Sequence, residues 1–124
     1  MKIVIGYPKN WDKINEKFKF KDEKFLLTLG DTLYNPSNIE IGKSYMVHEE
    51  FHSKRQLRMG LEKYIQKYLN DPLFRFVEEL LAYRIQWNFI KFHDGPSIDQ
   101  LAKEFSSFTY GFDIDFETAK ELIS

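Results

Sequence analysis

Apolar residues along the chain follow two spacings. In the first third they come in short runs broken by turn residues: Ile3-Val4-Ile5, Phe25-Leu26-Leu27-Thr28-Leu29, Thr32-Leu33-Tyr34 and Ile39-Glu40-Ile41. Runs of this length, bounded by Gly30-Asp31 and by Asn35-Pro36-Ser37-Asn38, predict short strands joined by turns, with Trp11 to Phe18 as an intervening helix. From Lys43 onward the spacing is helical. Ser44 to Arg58 carries neither Gly nor Pro and stops at Gly60, as a helix does. Leu61, Tyr64, Ile65, Tyr68 and Leu69 fall at i, i+3, i+4, i+7 and i+8, one face of a second helix. Asn70-Asp71-Pro72 ends it and opens a third, with Asp71 as N-cap and Pro72 at the first helical position, where its missing N–H costs nothing. That third helix runs to about Phe92 and is apolar on most sides (Leu73, Phe76, Val77, Leu80, Leu81, Ile85, Trp87, Ile90), which predicts a central, buried helix. Gly95-Pro96 closes it. Ser97-Ile98-Asp99-Gln100 has the form of a capping box, and Asp115 is placed to cap a last helix. The predicted class is α+β, with a small strand-rich N-terminal part followed by a helical body.

Composition narrows the function classes. A length of 124 residues argues for one domain over 1–124, and 43% hydrophobic residues, among them 12 Phe, 7 Tyr and 2 Trp, supply a core. Against 19 Asp and Glu stand 18 Lys and Arg, a net charge of −1, so no nucleic-acid or acidic-membrane partner is expected. No run approaches the roughly 18 apolar residues of a membrane span, and no signal peptide is apparent, so a soluble cytoplasmic protein is expected. Without cysteine, a metal would be held by His, Asp or Glu.

One pattern carries chemistry. His48-Glu49-Glu50-Phe51-His52 fits H-E-x-x-H. At i and i+4 on a helix two side chains lie about 40° apart, one turn along the axis, so both imidazoles can reach one zinc ion. Glu49 then sits close enough to meet a metal-bound water but not the metal, as a general base requires. A catalytic zinc takes a third protein ligand and keeps one open position. The extended form of the motif needs a Gly and a third His downstream, and those places hold Arg55 and Arg58. A carboxylate from a later helix remains, with Glu78 and Glu79 as candidates.

With these residues the chain resembles the zincin metallopeptidases, in particular the Glu-type branch and its small bacterial and phage domains. His48-Glu49-Glu50-Phe51-His52 and Glu79-Leu80-Leu81-Ala82 carry the resemblance. It implies a minimal zincin-like domain with Zn²⁺ held by His48, His52 and Glu79, since Glu79 has the small residue Ala82 three positions on. It also implies Glu49 as catalytic base, and Thr28 to Pro36 as an edge-strand region ahead of the active-site helix. Many members place Asp or Asn four positions after the ligand Glu to orient a ligand His; Tyr83 stands there. The expected activity is a zinc-dependent peptidase acting on a peptide or protein substrate, which could pair with a strand near residues 29–34. The alternative is a weak or inactive zincin-like binding or structural module of a larger, phage-type assembly. A chain this short implies an open cleft, or one completed by a protein partner.

Other residues have plainer readings beside the chemical one. His93 could stabilise an oxyanion or simply complement the helix dipole at a C-terminus. Tyr34, Tyr45, Tyr83 and Tyr110 each offer a phenol to a tetrahedral intermediate. Glu50 reads as a solvated residue, and Lys54-Arg55 with Arg58 as a solvated helix face.

Overall fold

The computed structural model describes residues 1–18, 25–107 and 112–124. Their order is β1 (Lys2–Val4), α1 (Trp11–Phe18), β2 (Leu27–Leu29), β3 (Thr32–Tyr34), α2 (Lys43–Met59), α3 (Leu61–Asn70), α4 (Pro72–Ile90), α5 (Ile98–Phe105) and α6 (Phe116–Ile123). This is the α+β arrangement that the two spacings predict.

β3 is the middle strand of the sheet, parallel to β1 and antiparallel to β2, with Leu33 opposite both Ile3 and Thr28. The β2–β3 hairpin turns over Gly30-Asp31, where Gly30 takes φ 62°, a left-handed conformation that a side chain disfavours. The strand expected at Ile39 to Ile41 does not form. The Asn35 side chain instead closes a turn, accepting from the Ile39 N–H (3.1 Å) and donating to the Ile39 carbonyl (2.8 Å), and the following residues run outside the sheet.

The helix ends follow the predicted signals. Asp71 Oδ1 accepts from the N–H groups of Leu73 and Phe74, Ser97 Oγ from that of Gln100, and Asp115 Oδ1 from that of Thr118. Each satisfies orphan donors of a first turn. Gly60, with φ 97°, makes the corner between α2 and α3.

The apolar core lies between α4, α5 and α6. Tyr83, Leu101, Ala102, Phe105, Ala119 and Ile123 are buried together, with Phe76, Leu80, Trp87 and Ile90 packed against them. α4 is not the all-round buried helix that its composition predicts. Leu73, Val77, Leu81 and Ile85, each four residues after the last, are exposed (71%, 43%, 37% and 38%). Arg75, Glu78, Glu79 and Gln86 are buried instead. Counting apolar residues cannot reveal which face turns inward. The charged face is buried because partners on neighbouring elements meet it, which removes the large cost of an unpaired interior charge.

α2 is likewise polar on its inner side. Ser44, His48, Glu49, His52, Ser53 and Gln56 are its buried residues. Ser53 Oγ donates to the Gly30 carbonyl (2.6 Å), while Gln56 accepts from the Gly30 N–H (2.6 Å) and donates to the Thr28 carbonyl (2.9 Å). These three bonds fasten the hairpin to the middle of α2. Among the described residues, no helix is long and apolar enough to cross a membrane.

Candidate metal centre

His48 and His52 project from α2 toward α4, which presents Glu79 to them, while Glu49 meets Thr28 of β2. The two Nε2 atoms of His48 and His52 are 3.2 Å apart. Glu79 Oε1 lies 3.4 Å from His48 Nε2, and Glu79 Oε2 lies 3.2 Å from His52 Nε2. A tetrahedral zinc with bonds of about 2.0–2.1 Å sets its ligand atoms about 3.3–3.4 Å apart. The three side chains therefore form one face of such a tetrahedron, and among the described residues they are the group placed to hold an ion.

Each of the three side chains is oriented from behind. His48 Nδ1 is 3.0 Å from Gln86 Oε1, and Gln86 Nε2 in turn donates to Ser44 Oγ at 3.1 Å. That chain assigns the proton to Nδ1 and leaves the Nε2 lone pair aimed at the centre. His52 Nδ1 meets the Tyr64 hydroxyl at 3.4 Å, and Tyr68 donates to Glu79 Oε2 at 2.7 Å. Burial, then the charge of Glu79, pushes both phenols above their usual range, so they stay protonated. Tyr83, at the position where the resemblance implies an orienting Asp or Asn, instead sets its ring edge-on to His48 (centroids 4.5 Å apart) within the apolar core.

Electrostatics in the cluster run toward charge separation. Burial alone would push the Glu79 carboxyl up, but the charge and hydrogen bond of His52, with His48 beside it, hold it well below the usual carboxylate range. Burial likewise opposes an imidazolium at His52, yet the Glu79 charge and hydrogen bond, with Glu49 and Glu78 behind, hold it up at about 9. Two buried imidazoles and a carboxylate this close require either a shared proton or a cation.

Glu49 is buried and accepts from Thr28 Oγ1 at 2.6 Å; among the described residues its other oxygen has no hydrogen-bond partner. Glu78, the second carboxylate candidate, is drawn away from the centre. It is fully buried and takes both its bonds from Arg55 Nε, at 3.0 and 3.2 Å. Arg55 is thus a buried carboxylate's partner rather than part of a solvated face. His93 is exposed and stacks on Phe89 (4.2 Å), lining a surface depression with Gly42 and Gly95 that none of the cluster residues lines. Glu50 is exposed, and Tyr110 lies outside the described residues.

A cavity of about 630 Å³ opens beside the centre. Thr28 and Leu29 of β2, the His48-Glu49-His52 face of α2, Ile65 and Leu69 of α3, and Tyr45 with Glu104 of α5 are among its lining residues. Sequence reasoning passes over Gln86, Tyr64 and Tyr68. Gln86 stands seven residues after Glu79, two turns along the same face of α4, so the spacing does carry that signal. The tyrosines fit an apolar stripe equally well, and nothing local marks their hydroxyls as ligand partners. The chain matches no protein-family model, no curated protein and no solved structure.

Proposed function

We propose that the protein is a zinc-dependent hydrolase of amide bonds, most simply a peptidase. The observation that carries this reading is the triangle of three oriented lone-pair donors, 3.2–3.4 Å on a side, open to a cavity that also holds Glu49. His48, His52 and Glu79 would hold the ion, which supplies Lewis acidity and lowers the pKa of a water in its open position toward about 7. Glu49, through the oxygen that Thr28 leaves free, is placed to take a proton from a water as that water adds to the substrate carbonyl, and to return it to the nitrogen as the C–N bond breaks. Gln86, Tyr64 and Tyr68 fix the donors so that little reorganisation accompanies the reaction.

A peptide has one strand edge to pair with beside the cavity. β3 is bonded on both sides, so residues 32–34 are not available for strand addition, and β2 is the outer strand. Its Thr28 carbonyl already accepts from Gln56, which leaves the backbone around Leu26 and Leu27 for a substrate.

The polar seam between α2 and α4 gives substance to the alternative, an inactive module whose metal only ties two helices together. Zinc titration of the purified protein with the Glu49→Gln variant separates the two. The hydrolase keeps one zinc per chain in this variant and loses about 10²–10⁴-fold in turnover of a peptide library. Equal turnover in both proteins refutes the role of Glu49, and failure to bind zinc refutes the reading itself.

A further inference from the structure

Glu49, Glu78 and Glu79 are buried together around the centre, and each is held differently. Glu78 takes Arg55 Nε on both oxygens. Glu79 meets an imidazole at each oxygen and the Tyr68 hydroxyl at Oε2. Glu49 is held at one oxygen only, and by a neutral group: Thr28 Oγ1 donates to Oε2 at 2.6 Å. Its Oε1 has no hydrogen-bond partner among the described residues and is not shielded from solvent. Because Glu49 lines the cavity, that oxygen is the part of the carboxylate a water can reach.

The helix fixes Glu49 only at its backbone, and ordering the carboxylate of so long a side chain is among the larger losses of rotamer freedom. Thr28 is well made to impose that order. It is β-branched and therefore stiff at χ1, and it sits in β2 opposite the fully buried Leu33. Its own carbonyl accepts from Gln56 Nε2 at 2.9 Å, and Gly30 two residues on is bonded by Gln56 and Ser53, at 2.6 Å each. Gln56 stands seven residues after Glu49, two turns along the same helix. Donor and acceptor are thus both anchored to α2, in a closed ring that runs from Glu49 through β2 and back. The hairpin is already docked by the three bonds from Ser53 and Gln56. A fourth is not needed to hold it, and its particular consequence falls on Glu49.

We infer that Thr28 is a positioning residue, through which β2 sets the orientation of the Glu49 carboxylate. The hydroxyl turns Oε2 toward the hairpin and leaves Oε1 facing the cavity beside His48 and His52. Thr28 is neither a ligand of the ion nor a base, and it acts only through Glu49. The inference rests on the hydrolase reading for what Glu49 does, though not for how its carboxylate is turned. It also joins two parts of that reading, because the outer strand offered to a peptide and the base beside it share one fixed point.

The test is a calorimetric titration of the zinc-loaded protein with acetohydroxamate, with azide as the reference ligand. A hydroxamate takes an ion through its two oxygens and gives a hydrogen bond to a carboxylate beside it, whereas azide binds an ion and donates nothing. Glu49→Gln and Thr28→Val each weaken hydroxamate binding by about tenfold or more, the scale of a lost orienting partner. Thr28→Ser, which restores the hydroxyl, returns the affinity to within about twofold of the parent, and azide affinity and zinc content are the same throughout. The double variant of Thr28→Val with Glu49→Gln binds no more weakly than Glu49→Gln alone, since residues acting as one unit are not additive. Thr28→Ala is a second hydroxyl-free variant, so the comparison does not depend on the valine protein folding. Parent-like hydroxamate binding in both hydroxyl-free variants overturns the positioning role while leaving the hydrolase reading in place. Additive losses in the double variant, or a parallel loss of azide or zinc, overturn it as well, because the hydroxyl then serves the fold as a whole. A protein that takes up no zinc, or whose hydroxamate affinity is unchanged by Glu49→Gln, sinks the hydrolase reading and the positioning role with it.

Discussion

Gln86→Leu tests how far the centre depends on what stands behind its ligands. Gln86 is fully buried and bridges His48 Nδ1 to Ser44 Oγ at 3.0 and 3.1 Å. Leucine is close to glutamine in volume, so the change removes two hydrogen bonds without opening a cavity. Two effects follow. His48 loses the acceptor that fixes its tautomer and ring angle, and such outer partners are worth about 10–100-fold in metal affinity. That corresponds to about 1.4–2.8 kcal/mol. The His48 N–H is also left buried and unpaired, at a cost of about 1–3 kcal/mol to the zinc-free fold, or roughly 4 °C of Tm per kcal/mol at this chain length. Chelator competition near neutral pH measures the first effect, and thermal unfolding after metal removal measures the second. Gln86→Glu is the control: a carboxylate is a stronger acceptor from the imidazole N–H, so its zinc affinity equals or exceeds that of the parent. A folded Gln86→Leu protein whose zinc affinity is within twofold of the parent refutes the reasoning.

Arg55→Ala leaves the fully buried Glu78 without its cation. Since the Arg55 side chain is 35% exposed, the expected loss is about 3 kcal/mol, the lower end for breaking a buried pair; denaturant unfolding with zinc content unchanged checks it. In the metal-free protein His52 is held up at about 9, above its ordinary value of about 6.5. The stability this adds is fully present below about pH 6.5 and is lost as pH rises through about 9. The Tm of the zinc-free protein therefore falls across that window, and a flat profile would contradict the charged pair. The same imidazolium must lose its proton before its nitrogen can bind a metal, so zinc uptake at neutral pH releases about one proton; calorimetry in buffers of different ionisation enthalpy counts it. Ser97→Ala removes the acceptor for the Gln100 N–H and lowers stability by about 1 kcal/mol, with no effect on zinc affinity.

The features legible in the sequence are those written in local spacing. His48, Glu49 and His52 form a pattern within one helical turn, and Asp71, Ser97 and Asp115 mark helix starts by the side chains that cap them. The facing of α4 is a different kind of information. Leu73, Val77, Leu81 and Ile85 make one stripe at intervals of four, and Arg75, Glu79, Ala82 and Gln86 make another at intervals of four, three and four, both compatible with a helix face. Which one turns inward depends on α2, whose own inner face is polar, and that pairing is set by residues about thirty positions away. The absence of a strand at Ile39 to Ile41 has a similar cause, because Asn35 takes the backbone groups of Ile39 that a ladder would use. Glu79 could be separated from Glu78 only by resemblance; in the structure the separation comes from Arg55, which the sequence reads as solvent-facing.

The two sides of α4 are joined to the molecule by different forces. On one side α5 and α6 close over an apolar cluster. On the other, α2 meets α4 through histidines, carboxylates and a glutamine, with little hydrophobic surface to hold them together. An ion bridging His48 and His52 to Glu79 would act there as a removable cross-link between two parts of the chain. Free zinc at a hundredfold excess over its Kd would add about 2.7 kcal/mol to keeping that seam shut. The order in which the molecule opens would then depend on the metal. As zinc is withdrawn, amide hydrogens of α2 exchange faster, while those of α5 and α6 keep their rates until the whole domain unfolds.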